Sequence, residues 1–135
     1  MDFSNQRNEY FKLDFLCKEL SKEEGFKGVA DLFSLLSDTN RLKIFWFLCH
    51  SKECGQNIAN AIGMTNPAVS HHLKILRESG LIECYRDGKE VFYFSEKSET
   101  CLALHEIIEK LMSMTCPDFD GRHEKVSAGA EYLDN

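Results

Sequence analysis

The apolar positions of the chain fall into a series of helical stripes interrupted by one pair of strand-like runs. Phe11, Phe15, Leu16 and Leu20 recur at near-helical spacing and predict an amphipathic helix over Tyr10–Leu20. Val29, Leu32, Phe33 and Leu36 predict a second over Lys27–Leu36. The run Ile44-Phe45-Trp46-Phe47-Leu48-Cys49 has the composition of a buried strand. The caps available at Asp38 and Thr39, and the stripe Leu42, Phe45, Leu48, favour a helix buried on most sides.

The centre of the chain is more specific. Gln56–Ile62 predicts a short helix with Ile58, Ala61 and Ile62 inward, and Gly63 suits the left-handed residue that ends it. Thr65 then caps a helix that tolerates Pro67 in its first turn and buries Val69, Leu73 and Leu76. Two helices joined by a short Gly-containing turn make a helix-turn-helix. Leu81–Tyr85 and Glu90–Phe94 flank Arg86-Asp87-Gly88-Lys89, and Asp-Gly between β-prone runs predicts a hairpin. A last helix, about Ser98–Met114, carries Cys101, Leu104, Ile108, Leu111 and Met112 on one stripe before Cys116-Pro117 stops it. The expected fold is mainly α with a small β-hairpin wing: a winged helix-turn-helix. A single domain over 1–116 is expected, with 117–135 a polar, flexible C-terminal tail.

Composition narrows the function classes. At 135 residues the chain holds one domain and is too short for a catalytic domain plus a separate sensing domain. No apolar run approaches the ~20 residues of a membrane span, and the opening MDFSNQRNEY lacks a signal-peptide layout, so a cytoplasmic, non-membrane protein is expected. In that compartment the six cysteines are reduced thiols or metal ligands, and no CxxC occurs. No nucleotide or hydrolase motif appears, and an enzyme is not expected.

The net charge of −6 argues against nucleic acid only until it is divided along the chain. Residues 1–32 carry −2, residues 33–95 carry +1 and residues 96–135 carry −5. Electrostatic reach is set by the Debye length of roughly 8–10 Å, so the mildly basic centre can meet DNA while acidic ends project elsewhere. On the helix after Thr65, Asn66, Ser70, His71 and Lys74 lie opposite the buried stripe, with Pro67 at its start. Short polar and basic groups near a helix N-terminus suit base edges and phosphates in a major groove. Arg86 and Lys89 at the hairpin tip can reach the flanking backbone or minor groove.

These residues carry a family resemblance. The stretch from Asp31 through Asp38-Thr-Asn-Arg-Leu-Lys-Ile resembles the opening helices of the ArsR-type (arsenic-repressor) transcriptional regulators. Ala68-Val-Ser-His-His-Leu-Lys-Ile-Leu-Arg-Glu-Ser-Gly-Leu-Ile is similar to their recognition-helix signature, and Arg86-Asp-Gly-Lys-Glu-Val-Phe-Tyr-Phe to their wing. The similarity covers about residues 28–113. It implies a homodimeric repressor whose N-terminal and C-terminal helices pair across the dimer, bound to a pseudo-palindromic double-stranded operator. It also implies release by an inducer, often a metal ion or metalloid.

The inducer-binding patterns of the family are incomplete here. Where arsenic- and cadmium-sensing members often carry Cys-x-Cys, this chain reads Glu53-Cys54-Gly55-Gln56-Asn57. The last-helix positions of zinc-sensing members are occupied by Lys97, Glu99, Lys110 and Ser113. Two other ligand sets are open. One joins Cys54 to Cys17, with His50 as a further candidate; the other uses Cys101, His105 and Glu109 at i, i+4, i+8, completed by Cys116 and His123. Thiolates with imidazole suit a soft ion, Zn, Cd, Cu(I) or As(III), or thiol-directed chemistry. The competing readings are a winged-helix regulator with no metal inducer and a protein-interaction module that has lost DNA binding.

Overall fold

Helix boundaries fall where side chains satisfy the loose ends of the backbone. The computed structural model describes residues 3–120 and divides the chain into two units, Met1–Ser37 and Asp38–Asn135. The first unit holds α1 (Phe3–Leu20) and α2 (Glu23–Leu35), both beginning earlier than the apolar spacing alone predicts. Apart from Phe3 and Phe26 the extra turns lack large apolar residues, which is why apolar periodicity does not reveal them. Lys18–Asp14 at 3.5 Å and Lys27–Asp31 at 3.0 Å are exposed i, i+4 pairs of the kind that add a few tenths of a kcal/mol to a helix, roughly 0.2–0.5 each. The apolar stripe of α1 is exposed, with Phe11 at 68% and Phe15 at 59%.

The second unit opens with α3 (Thr39–His50). Asp38 Oδ1 accepts the Arg41 backbone N–H at 3.0 Å, so the ambiguous apolar run is a helix. Ile44, Phe45 and Leu48 are fully or almost fully buried and form its inner face. A two-residue strand, β1 (Glu53–Cys54), leads into α4 (Gly55–Ile62). Gly63 ends α4 at φ +75°, the left-handed conformation expected of it. Thr65 Oγ1 accepts the Ala68 N–H at 3.3 Å and starts α5 (Asn66–Glu78), whose Val69, Leu73 and Leu76 are buried as predicted.

The sheet follows, with β2 (Ile82–Asp87) and β3 (Glu90–Ser95) antiparallel and in register from Ile82↔Ser95 to Asp87↔Glu90. Asp87 is thus the last paired residue, and the two-residue loop is Gly88-Lys89. Gly88 has φ +64°, and no residue other than glycine has a positive φ among those described. Glycine at the first loop position alone matches a type II′ turn, where Asp-Gly in the loop would give type I′. β1 adds to the far side of β3 through Glu53↔Tyr93 and Cys54↔Phe92, giving the order β1-β3-β2. Across the hairpin Tyr85 stacks on Phe92 at 5.5 Å between ring centroids, and the Lys52 ammonium lies 5.4 Å from the Phe94 ring centre.

The unit closes with α6 (Glu99–Thr115), capped by Ser98 Oγ, which accepts the Cys101 N–H at 3.2 Å. Cys101 and Leu104 are buried, and Ile108 and Met112 are half-buried behind them. Leu111 is not part of that inner stripe. It faces outward with Ile107 and Met114, 53% exposed. After α6 the chain turns through Pro117 to Phe119, whose ring meets Trp46 edge-on at 6.3 Å. The rest of the expected tail, 121–135, lies outside the described residues.

Candidate nucleic-acid interface and an inward ligand cluster

Recognition by a helix needs one face anchored and the opposite face free. On α5, Val69, Leu73 and Leu76 anchor, while Asn66, Pro67, Ser70, His71 and Lys74 are exposed. Asn66 also has an internal role: its Nδ2 donates to Gln56 Oε1 at 2.8 Å and ties the start of α5 to α4. Gln56 Nε2 in turn donates to Asn60 Oδ1 at 3.0 Å. That polar edge of α4 was not singled out from sequence, because Gln and Asn on a helix carry no pattern of their own. His72 points inward, its side chain 12% exposed and its Nε2 3.8 Å from Asp38 Oδ1. The Arg41 N–H, first, and then the neighbouring His72 hold the Asp38 carboxyl below its ordinary value.

At the wing, Arg86 and Lys89 are exposed as expected. Asp87 and Glu90 face each other across the last rung, so the tip holds two acidic groups with its two basic ones. Its cationic side chains can approach phosphate individually, but the wing is not a basic patch.

The metal-ligand candidates differ in their surroundings. Cys17 lies on α1 in the first unit and is exposed, whereas Cys54 is buried in β1, 9% exposed. Cys101 is buried and directs its Sγ to the Leu81 carbonyl at 3.4 Å. Cys116 caps the end of α6 and is half-buried; Cys84 lies on β2; His123 is outside the described residues. Cys49 sits beside a cavity of about 220 Å³ lined also by Ser95, Lys97, Cys101 and His105. Burial pushes its thiol up to about 12, with the neighbouring Cys101 and Glu109 adding to the shift, so it is protonated at neutral pH.

One residue of the first expected set converges with two of the second. His50, at the end of α3, and His105 and Glu109, one turn apart on α6, bring their ligand atoms within 4.8 Å of one another. His105 Nε2 lies 2.9 Å from His50 Nε2 and 3.0 Å from Glu109 Oε1, and His50 Nε2 is 3.1 Å from the same oxygen. Trp46 Nε1 donates to that oxygen at 3.0 Å. The i, i+4 spacing of His105 and Glu109 was legible. Their pairing with His50, 55 residues away, follows from how α3 crosses α6 and has no local signal.

Helix, glycine turn, helix with an outward polar face, and a hairpin wing together define a winged helix-turn-helix fold. Residues 38–83 match the family described as bacterial regulatory protein, arsR family. That match runs from α3 to the start of β2 and covers about a third of the chain. The chain is 45% identical over 68 residues to the cadmium resistance transcriptional regulatory protein CadC of Listeria innocua, covering 50% of this chain and 57% of that protein. It is 31% identical over 83 residues to a transcriptional repressor SmtB homolog of Synechocystis, covering 62% and 63% respectively. The chain thus spans little more than half the length of the curated relatives it matches. Among solved structures, the transcriptional repressor BigR of Xylella fastidiosa superposes with a TM-score of 0.61 at 25% identity, covering 76% of this chain and 97% of that one. A homodimeric winged helix-turn-helix domain of Mycobacterium bovis, Mb0332, superposes with a TM-score of 0.60 at 25% identity, covering 70% and 87%.

Proposed function

We propose that this protein is a homodimeric transcriptional repressor that binds a pseudo-palindromic double-stranded DNA operator and is released by an inducer of the metal-ion or metalloid class. The observation that carries the reading is the two-faced helix α5: three buried anchors fix its axis, and Ser70, His71 and Lys74 stand exposed on the other side. Such a face can direct about three or four side chains at base edges and the phosphates beside them. Its N-terminal amides add favourable partial charge toward phosphate. Arg86 and Lys89 supply positioning contacts from the wing.

Dimerisation follows from unspent apolar surface. Ile107, Leu111 and Met114 form an exposed i, i+4, i+7 stripe on α6, and α1 carries its own exposed stripe. A second copy is the proposed partner, supported by the homodimeric neighbour and by the two-fold symmetry that paired half-sites demand. No helix among the described residues is long and apolar enough to cross a membrane, and a cytoplasmic, non-enzymatic role accompanies the regulator reading. Relatives named for cadmium and arsenical resistance support the inducer class.

In vitro selection from a random duplex library tests the proposal. The expected product is an inverted repeat whose half-sites lie about one helical turn, roughly 10 bp, apart. A pool that shows no enrichment over several rounds at 50–100 mM salt, on the order of low-salt binding conditions, would overturn it.

A further inference from the structure

We infer that His50, His105 and Glu109 form a binding site for a divalent first-row transition ion, zinc in particular, that clamps α3 to α6 within one chain. The inference deepens the regulator reading: it rests on that reading for its consequence, while the chemistry of the site stands alone.

The geometry comes first. The three ligand atoms form a nearly equilateral triangle with edges of 2.9, 3.0 and 3.1 Å. Zinc bonds of about 2.0–2.2 Å to imidazole nitrogen and carboxylate oxygen place neighbouring ligands about 2.9–3.5 Å apart at angles of about 90–110°. The triangle therefore accepts an ion with little movement, leaving one or more positions for water.

The protonation pattern points the same way. Without a cation, Trp46 Nε1–H and both imidazoles are directed at a single oxygen, Glu109 Oε1. If both Nε2 atoms carry hydrogens, those hydrogens are forced together across 2.9 Å. If only one does, the other imidazole turns a lone pair toward the carboxylate. An ion at the centre removes the conflict, because both imidazoles and the carboxylate then direct lone pairs at it. Trp46 becomes an outer hydrogen-bond donor that orients the carboxylate, as metal sites commonly require. The side chains of His50, Glu109 and His105 are 15%, 11% and 18% exposed, which shields the charge of the site from bulk screening.

The donor set also selects the ion. Two nitrogens and one carboxylate oxygen suit zinc, cobalt or nickel, whereas Cu(I) and As(III) favour softer sulfur ligands. No thiol belongs to the triangle among the described residues, and Cys101 directs its Sγ to the Leu81 carbonyl instead. This site therefore differs in chemistry from both cysteine-containing sets suggested by the sequence.

The consequence runs through α3. Its C-terminal end carries His50, its inner face packs on α5, and its N-terminal cap Asp38 lies beside His72 of α5. Pinning one end of α3 to α6 biases the position of the recognition helix, and typical coupling between two such sites changes affinity about 5–150-fold.

Trp46 is the only tryptophan, and its ring centre lies 4.7 Å from that of His50, so the site contains its own reporter. Titration of the full chain with Co²⁺ should quench Trp46 fluorescence with a one-to-one endpoint, and Zn²⁺ should displace the Co²⁺ and restore emission. His50→Gln and His105→Gln should each weaken Zn²⁺ binding by more than the roughly 10–100-fold typical of losing an outer-shell partner, with thermal unfolding and circular dichroism confirming that they fold. Cys17→Ser/Cys54→Ser and Cys101→Ser should bind as wild type does. Zinc affinity that survives both histidine variants, or that disappears with the cysteines, overturns the site. Adding Zn²⁺ should weaken binding to the selected duplex about 5–150-fold in wild type and not in His105→Gln. Unchanged DNA affinity with the site filled overturns the coupling. Failure of the metal-free chain to bind DNA would instead contradict the regulator reading, while the fluorescence titration still tests the site independently.

Discussion

His72, in the middle of the recognition helix, holds its Nε2 3.8 Å from the Asp38 carboxylate that caps α3. The buried side of α5 is thereby linked to the helix that supports it, while the adjacent His71 remains on the exposed side. Asp38 has a folded pKa below its ordinary 3.8, chiefly through the Arg41 N–H and then through His72. A lowered carboxylate value means that its contribution is fully present above that ordinary pKa and is lost as pH falls through the folded one. Asp38→Ala should lower the melting temperature at pH 7. Asp38→Asn should retain most of it, since an amide oxygen can accept the same N–H. Thermal melts of the three proteins decide; equal losses in both variants would show that the cap hydrogen bond is not what matters.

Cys49 offers a second pH-dependent readout. Its thiol is pushed up to about 12 from an ordinary 9.0, mainly by burial. A raised value means that the stabilising difference is complete below pH 9 and is lost as pH rises toward 12. At pH 8, iodoacetamide should modify the exposed Cys17 rapidly and leave Cys49 intact until the chain unfolds. Peptide mass spectrometry over a time course checks the order, and early labelling of Cys49 would contradict the packing described for α3.

The outward stripe of α6 gives a test of assembly. Leu111 and Met114 are 53% and 72% exposed in the single chain, so Leu111→Glu with Met114→Glu should leave each protomer folded. Light scattering at micromolar concentration should show a dimer for wild type and a monomer for the double variant. A wild-type monomer, or an unchanged dimer in the variant, would place the interface elsewhere.

Core packing sets the stability of the second unit. Phe45 is completely buried, and Phe45→Ala should cost about 3–5 kcal/mol through lost burial and the cavity left behind. Urea denaturation measures this directly; a cost below about 1 kcal/mol, the level of a surface change, would contradict its central position.

Most of the winged-helix frame was legible because its signals are local. Asp38, Thr65 and Ser98 each mark a helix start with a side-chain oxygen, and Gly63 marks an end. Val69, Leu73 and Leu76 repeat at helical spacing and are buried accordingly. What was not legible depends on tertiary placement. β1 has only two residues and exists because β3 has an open edge beside it. Leu111 obeys the same periodicity as Ile108 but lies far enough around α6 to face outward. Cys101, His105 and Glu109 share a helical face by spacing. Yet Cys101 is drawn to the Leu81 carbonyl and His50 takes its place beside the other two.

The most direct test of DNA recognition by α5 is the affinity of Ser70→Ala/His71→Ala for the selected duplex. Both side chains are exposed on α5 opposite its anchors, so the variant should keep the wild-type melting temperature. Fluorescence anisotropy at a fixed salt concentration should show specific binding weakened by about 1–3 kcal/mol for each base whose hydrogen-bond partner is removed. Binding to unrelated duplex should change far less. Wild-type affinity and specificity in the double variant would contradict recognition through this face of α5.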